Sequence, residues 1–150
     1  GFTLIELMVT IAVLAIIVSI AAPDISNQLA NQRVKSTTAT LSNALKEAKA
    51  ESVIRRQNVT LSYDNSTDSK KIVITASDTP TSIIASYNYN TRSTIKTESS
   101  SATTVVFEPN KNVTIARTFT VCDSNTSAAP QQIEVSKVAN VTNNKGGTCR

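Results

Sequence analysis

Hydrophobic and polar positions divide this chain into three stretches. From Phe2 to Ala22 the residues are apolar on every side. The exceptions are Thr3, Thr10, Ser19 and a single charged residue, Glu6. As a helix, such a run spans about 30 Å, the thickness of a bilayer's hydrocarbon core. Beyond it, in "DISNQLANQRVKSTTATLSNALKEAKAESVIRR", Val34, Thr38, Leu41, Leu45, Ala48 and Ser52 recur at steps of three and four. That spacing predicts an amphipathic helix with one weakly apolar stripe. Glu47 and Glu51 form a like-charge i,i+4 pair that mildly disfavours it. Pro23 lies between the two stretches. It lacks an amide donor and its ring crowds the carbonyl four residues back, so a kink is expected there. The pattern therefore predicts one long helix from about Phe2 to about Arg56, bent near Pro23.

From Asn58 the period changes from helical to alternating. The segments "NVTLSY", "KKIVITAS", "TSIIASYNY", "TTVVFEP", "RTFTVCD" and "QQIEVSKV" are rich in Val, Ile, Thr, Phe and Tyr, with Asp, Asn, Ser and Pro clusters between them. They predict short antiparallel strands joined by turns. Three Ser-, Thr- or Asn-rich stretches read as loops: Thr91–Thr104, with room for a short central strand, Asp123–Pro130, and Thr142–Arg150. The fold expected is α+β, a long kinked N-terminal helix packed on an antiparallel β domain. Its expected divisions are residues 1–28 as the apolar helical segment, 29–56 as the amphipathic half of the same helix, and 57–150 as the globular domain.

Composition changes this picture little. Of 150 residues, 15 are basic and 11 acidic. The excess is spread evenly, six against four over residues 1–56 and nine against seven over 57–150. No basic arm announces nucleic acid. There is no histidine or tryptophan. No Ser or Thr is flanked by a base or a glycine-rich oxyanion turn, so an enzyme is not expected. Glu108 and Glu134 are isolated strand-edge acids that read as surface residues. The N-x-S/T triplets at Asn58, Asn65, Asn112, Asn125 and Asn140 are expected from so much Asn, Ser and Thr. The two cysteines, Cys122 and Cys149, read as one disulfide in an exported domain, with free thiols as the alternative. Two cysteines without histidine make a poor zinc set, so neither a metal nor another cofactor is expected. The apolar run has no basic flank before it and no small-residue cleavage site after it, so it does not read as a secretory signal peptide.

Glu6 is the puzzle, because a lone carboxylate in hydrocarbon is costly unless partnered. The stretch "GFTLIE" resembles the processing site of type IV prepilins and pseudopilins. The resemblance implies cleavage by a prepilin peptidase between Gly1 and Phe2, with N-methylation of Phe2. It further implies that Glu6 is the acid used in assembly and Pro23 the helix-kinking proline. When subunits stack, the N-terminal amine of one can then reach Glu6 of its neighbour and set the register of the stack. Further on, "LSNALKEAKAESVIRRQNVTL" resembles "L-x-x-A-R-S-E-A-I-x-R-x-x-x-V-x-L" of the GspH/FimT class. Leu45, Ala48, Lys49, Ala50, Glu51, Ser52, Val53, Ile54, Arg56, Val59 and Leu61 occupy comparable places. "VVFEPNKNV" and "FTVCD" are similar to the class patterns "V-x-F-x-P-x-G" and "F-x-x-C-D", although the Gly that closes the first is absent.

The resemblance implies a FimU-like minor pilin with the β-sandwich form of the pilin fold. Such a subunit helps prime assembly of a type IV pilus or sits near its tip. Its partners would be other pilins through their N-terminal helices, other minor pilins, the peptidase, and the inner membrane before assembly, with the globular domain periplasmic. The alternatives are a pseudopilin of type II secretion, a major pilin, and a FimT-like subunit that binds DNA during transformation. For that last role the class uses basic residues on a C-terminal "G-R-x-R"-like loop. Here "EVSKVANVTNNKGGTCR" offers only Lys137, Lys145 and Arg150 as nucleic-acid contacts, so DNA is not the favoured partner.

Overall fold

In a computed structural model of the chain, residues 1–66, 69–78, 81–98 and 103–149 are described, without the side chains of residues 20–23. A single helix, α1, runs Leu4–Arg55. It starts where Thr3, in an extended conformation, accepts a hydrogen bond from the Glu6 backbone N–H on its hydroxyl. This is the N-cap arrangement, which satisfies one of the free amides of the first turn. It ends at Arg56, whose left-handed backbone brings its N–H back to the Ser52 carbonyl. The class pattern's arginine falls on Arg55 rather than Arg56. Arg55 Nε donates to Glu51 at 2.6 Å, and Glu47 accepts from the Tyr87 hydroxyl. Each acid of the like-charge pair thus has a partner of its own.

All six residues of the expected stripe are buried, and Ala30, Thr37, Ser42 and Ala44 join them. The buried face is wider than the stripe because it meets two sheets, one on each flank. In the first, β1 (Val59–Asp64), β2 (Lys71–Ala76) and β3 (Ser82–Asn88) form a meander. Strand β5 (Thr104–Phe107) adds on the far side of β1, giving the order β3-β2-β1-β5. In the second, β6 (Arg117–Asp123), β7 (Gln131–Val135) and β8 (Val141–Lys145) form another meander. Strand β4 (Ser93–Thr97) pairs on the outer side of β6, giving β4-β6-β7-β8. All pairings are antiparallel.

The alternating residues of both sheets point to one core with α1. Leu61, Ile72, Ile74, Val105 and Phe107 come from one sheet, Ile95, Phe119, Val121, Ile133 and Val135 from the other. Tyr63 and Phe119 meet edge to face across them, with ring centroids 6.1 Å apart. Asn65 joins the sheets at one end. Its side-chain amide donates to the Ile95 carbonyl, and its oxygen accepts from the Ile95 N–H and the Tyr89 hydroxyl. It thus replaces a strand's peptide group with a side chain.

One expectation is corrected. Thr142–Arg150 is not simply a loop, because Val141–Lys145 pairs with β7 along its length. Its polar residues hid it: β8 is an edge strand, exposed over Thr142–Lys145, so no apolar alternation is needed. Glu134 lies on the surface, although β7 sits between β6 and β8. Its side chain faces water because it alternates with buried Ile133 and Val135. The central strand allowed within Thr91–Thr104 is β4, while residues 99–102 of that loop lie outside the described residues. In the turn after β5, the place of the class glycine is taken by Lys111, which adopts a left-handed φ of 65°. Its N–H donates to the Glu108 carbonyl at 3.1 Å, which closes the turn without glycine.

Candidate assembly interface

Every residue from Gly1 to Ser19 is exposed. Phe2, Leu4, Ile5, Leu7, Met8, Val9, Ile11, Val13, Leu14, Ile16, Ile17 and Val18 therefore form an uncovered apolar rod. Ile25 and Leu29 continue it beyond residues 20–23. A surface this apolar over this length is far beyond the patches that monomers leave in water. The polar side chains along it are dealt with locally: Thr10 and Ser19 donate to the carbonyls of Leu7 and Ile16. Glu6 occupies the first turn, where the helix's unpaired amides favour a negative group. No single helix among the described residues is long and apolar enough to cross a membrane. Leu4–Ser19 and Asp24–Arg55, inclined at 41°, meet that requirement together by length and composition. The Pro23 side chain falls between them, outside what is described.

The amphipathic half of α1 is strapped to the β domain by polar contacts. Arg33 donates through Nε and Nη2 to both oxygens of Asp123, at 2.8 and 2.9 Å. Those hydrogen bonds hold the Asp123 carboxyl below the usual carboxylate range; a further one from the Asn125 N–H adds to this, against the opposing effect of burial. Asn27 accepts from the Asn125 side chain and Asn31 from the Ala129 N–H. Lys49 donates to the Ala139 carbonyl, and Ser52 to the Glu108 carbonyl. The loop Asp123–Pro130 is thus held against the helix by three side chains, all within two turns of one another.

Cys122 and Cys149 are joined in a disulfide. It draws the chain after β8 over the outer face of β6, which explains why Thr120 and Cys122 are buried although they alternate with the core residues. Gly147 makes that approach possible. Its φ is +112°, and a Cβ there would sit 2.7 Å from the Thr120 methyl and 2.9 Å from Gln132 Cγ. Lys96 adds a hydrogen bond to the Cys149 carbonyl.

The basic residues considered for nucleic acid do not converge. Lys137 lies in the turn between β7 and β8, while Lys145 pairs opposite Gln131 at the other end of that hairpin. Four residues of strand separate Lys145 from Val141, roughly 13 Å. Lys145 instead lines a cleft with Lys35, Gln28, Asn31 and Gln32 of the helix. Arg150 lies outside the described residues.

Sequence reasoning missed Thr3, Arg33 and Asp123. The first was legible, since Thr3-x-x-Glu6 has the spacing of a capping box. The ion pair was not, because its members are 90 residues apart.

Comparison with known proteins places these features. The profile of the prokaryotic N-terminal methylation motif matches residues 1–22, and that of the type II transport protein GspH matches residues 37–139. No curated protein sequence matches. Among solved structures, the type IV minor pilin FimU of Pseudomonas aeruginosa superposes with a TM-score of 0.67 at 16% identity, over 79% of this chain and 96% of that one. A second crystal form of FimU gives 0.64 at 19%, over 77% and 99%. The minor pseudopilin EpsH from the type 2 secretion system of Vibrio cholerae gives 0.61 at 8%, over 75% and 97%. These likenesses concern the fold. With a methylation motif on its exposed apolar helix and the GspH profile across most of its β domain, the chain belongs to the GspH family, within the type IV pilins and pseudopilins of the GspH/FimT class.

Proposed function

We propose that this protein is a minor pilin of a type IV pilus, a structural subunit that primes assembly or sits near the filament tip. The observation that carries the reading is the fully exposed apolar stretch Gly1–Ser19 with one acid, Glu6, in its first turn. Such a surface needs lipid before assembly and other helices after it. In this reading the helix rests in the inner membrane as a single pass, bent at Pro23, with the β domain in the periplasm. Prepilin peptidase cuts between Gly1 and Phe2, and the amine of Phe2 is methylated. Glu6 then meets the amine of a neighbouring subunit, each charge offsetting the other's desolvation.

Replacing Glu6 tests the pairing. Glu6→Val removes a charge from the membrane segment, so insertion should be retained while incorporation into the filament falls. Blots of membranes and of sheared pili measure the two separately. Normal amounts of the valine variant in sheared filaments would sink the idea. Co-purification decides the system served: capture with the minor pilins of a pilus supports this reading, and capture with secretion pseudopilins supports the GspH-like alternative.

A further inference from the structure

One face of α1 changes character in steps where the helix leaves its bare apolar half. Ile25, Gln28, Leu29, Gln32 and Lys35 follow one another on that face at spacings of three and four, all of them exposed. Apolar side chains come first, then amides, then a cation, which is the order of polarity across a membrane surface. Lys35 is six residues beyond Leu29, about 9 Å along the helix. The headgroup layer is about 5–8 Å deep on each side of the hydrocarbon. A helical Cα–Cβ bond leans toward the N-terminus, so a lysine stem at residue 35 spans the gap to that layer. A second lysine arrives from the β domain. Strand β8 ends at Lys145, which lines a cleft with Gln28, Asn31, Gln32 and Lys35. The Ala129 N–H donates to Asn31 and the Gly146 N–H to the Pro130 carbonyl, so the strand end is held beside the helix. Among the described residues neither lysine is in an ion pair, and none that lines the cleft is acidic. The acid at the start of the adjoining loop, Asp123, is already matched by Arg33.

We propose that this cleft binds the phosphate of an anionic phospholipid headgroup in the membrane that holds the apolar half of α1. The inference rests on the membrane reading given above. Lys35 and Lys145 supply the charge, and the side-chain amides of Gln28 and Gln32 donate hydrogen bonds to the phosphate oxygens. A zwitterionic headgroup carries its own cation beside the phosphate, so it gains less from two lysines. Bound lipid holds the β domain at the membrane surface until the subunit is drawn into a filament.

The test titrates the full chain, in non-ionic detergent, with phosphatidylglycerol or phosphatidylcholine and counts bound lipid by native mass spectrometry. Wild type should prefer phosphatidylglycerol. Lys35→Gln and Lys145→Gln should each weaken that lipid about fivefold, and about thirtyfold together, while leaving phosphatidylcholine unchanged. Lys137→Gln removes the same charge at the far end of the β7–β8 hairpin and should bind as wild type does. Equal binding of the two lipids by wild type would overturn the proposal. So would a double variant that keeps its affinity, or an equal loss in Lys137→Gln, which would mean that net charge alone attracts the lipid. A double variant that binds lipid normally but is missing from sheared filaments would make the cleft a contact between subunits and overturn it as well. Flotation with phosphatidylcholine vesicles checks the reading beneath: wild type that fails to float would overturn the membrane reading itself.

Discussion

At the scale of single residues, the Arg33–Asp123 pair has the clearest consequence. The Asp123 side chain is fully buried while Arg33 keeps some access to water. Hydrogen bonds from Arg33, the largest cause, lower the Asp123 pKa from its ordinary value. The carboxylate is therefore favoured by folding. Its contribution is present in full above the usual carboxylate range of about 4 and is lost as the pH falls through the lower folded value. Thermal melts of the purified protein from pH 7 to pH 2 should show a decline confined to the acid side of that range. In Asp123→Asn the melting temperature at pH 7 should fall by roughly 5 °C, and part of the acid decline should disappear. A variant that melts with the same pH profile as wild type would remove Asp123 from this account. Lys111 shows the same dependence on context: a residue without glycine's freedom takes a left-handed turn because the hydrogen bond to Glu108 closes it.

Among the elements, β8 depends on what surrounds it. Its side chains are mostly exposed and polar, and among the described residues its backbone pairs as a strand only with β7. The disulfide four residues beyond Lys145 anchors the segment that follows. Closing a loop with a sequence separation of 27 stabilises by roughly 3.5 kcal/mol in the chain-entropy model. Intact mass under non-reducing conditions should be two hydrogen atoms below that of the reduced chain. Reduction should destabilise by about 2–4 kcal/mol and speed amide exchange over Val141–Lys145 first. Exchange that quickens evenly over both sheets would mean that the bridge secures the whole domain rather than this edge.

For the whole molecule, the arrangement of charge bears on DNA. With Lys137 and Lys145 at opposite ends of one hairpin, few cations can face the same stretch of phosphates. Even three phosphate contacts give a log–log salt slope of only about −2.7 on duplex DNA. Binding at roughly 150 mM salt should be no tighter than high micromolar, as read by fluorescence anisotropy. Submicromolar affinity lost in Lys145→Ala combined with Arg150→Ala would make DNA uptake the leading function.

The sequence by itself determined what depends on neighbours along the chain. The stripe from Val34 to Ser52, the strands around Leu61, Ile74, Val105, Phe119 and Ile133, and the change of period at Asn58 all follow from side-chain spacing. Spacing alone decides which residues can share a face. The exposed helix with its acid was legible for the same reason, since every side of that segment is apolar. The tertiary structure decided what depends on which elements meet. It made a strand of polar Val141–Lys145, set β5 beside β1 and β4 beside β6, and brought Arg33 to Asp123 across 90 residues. Backbone pairing at a sheet edge needs no side-chain pattern, and a distant ion pair leaves no periodic trace. Both form only once the core has placed the partners within hydrogen-bonding distance.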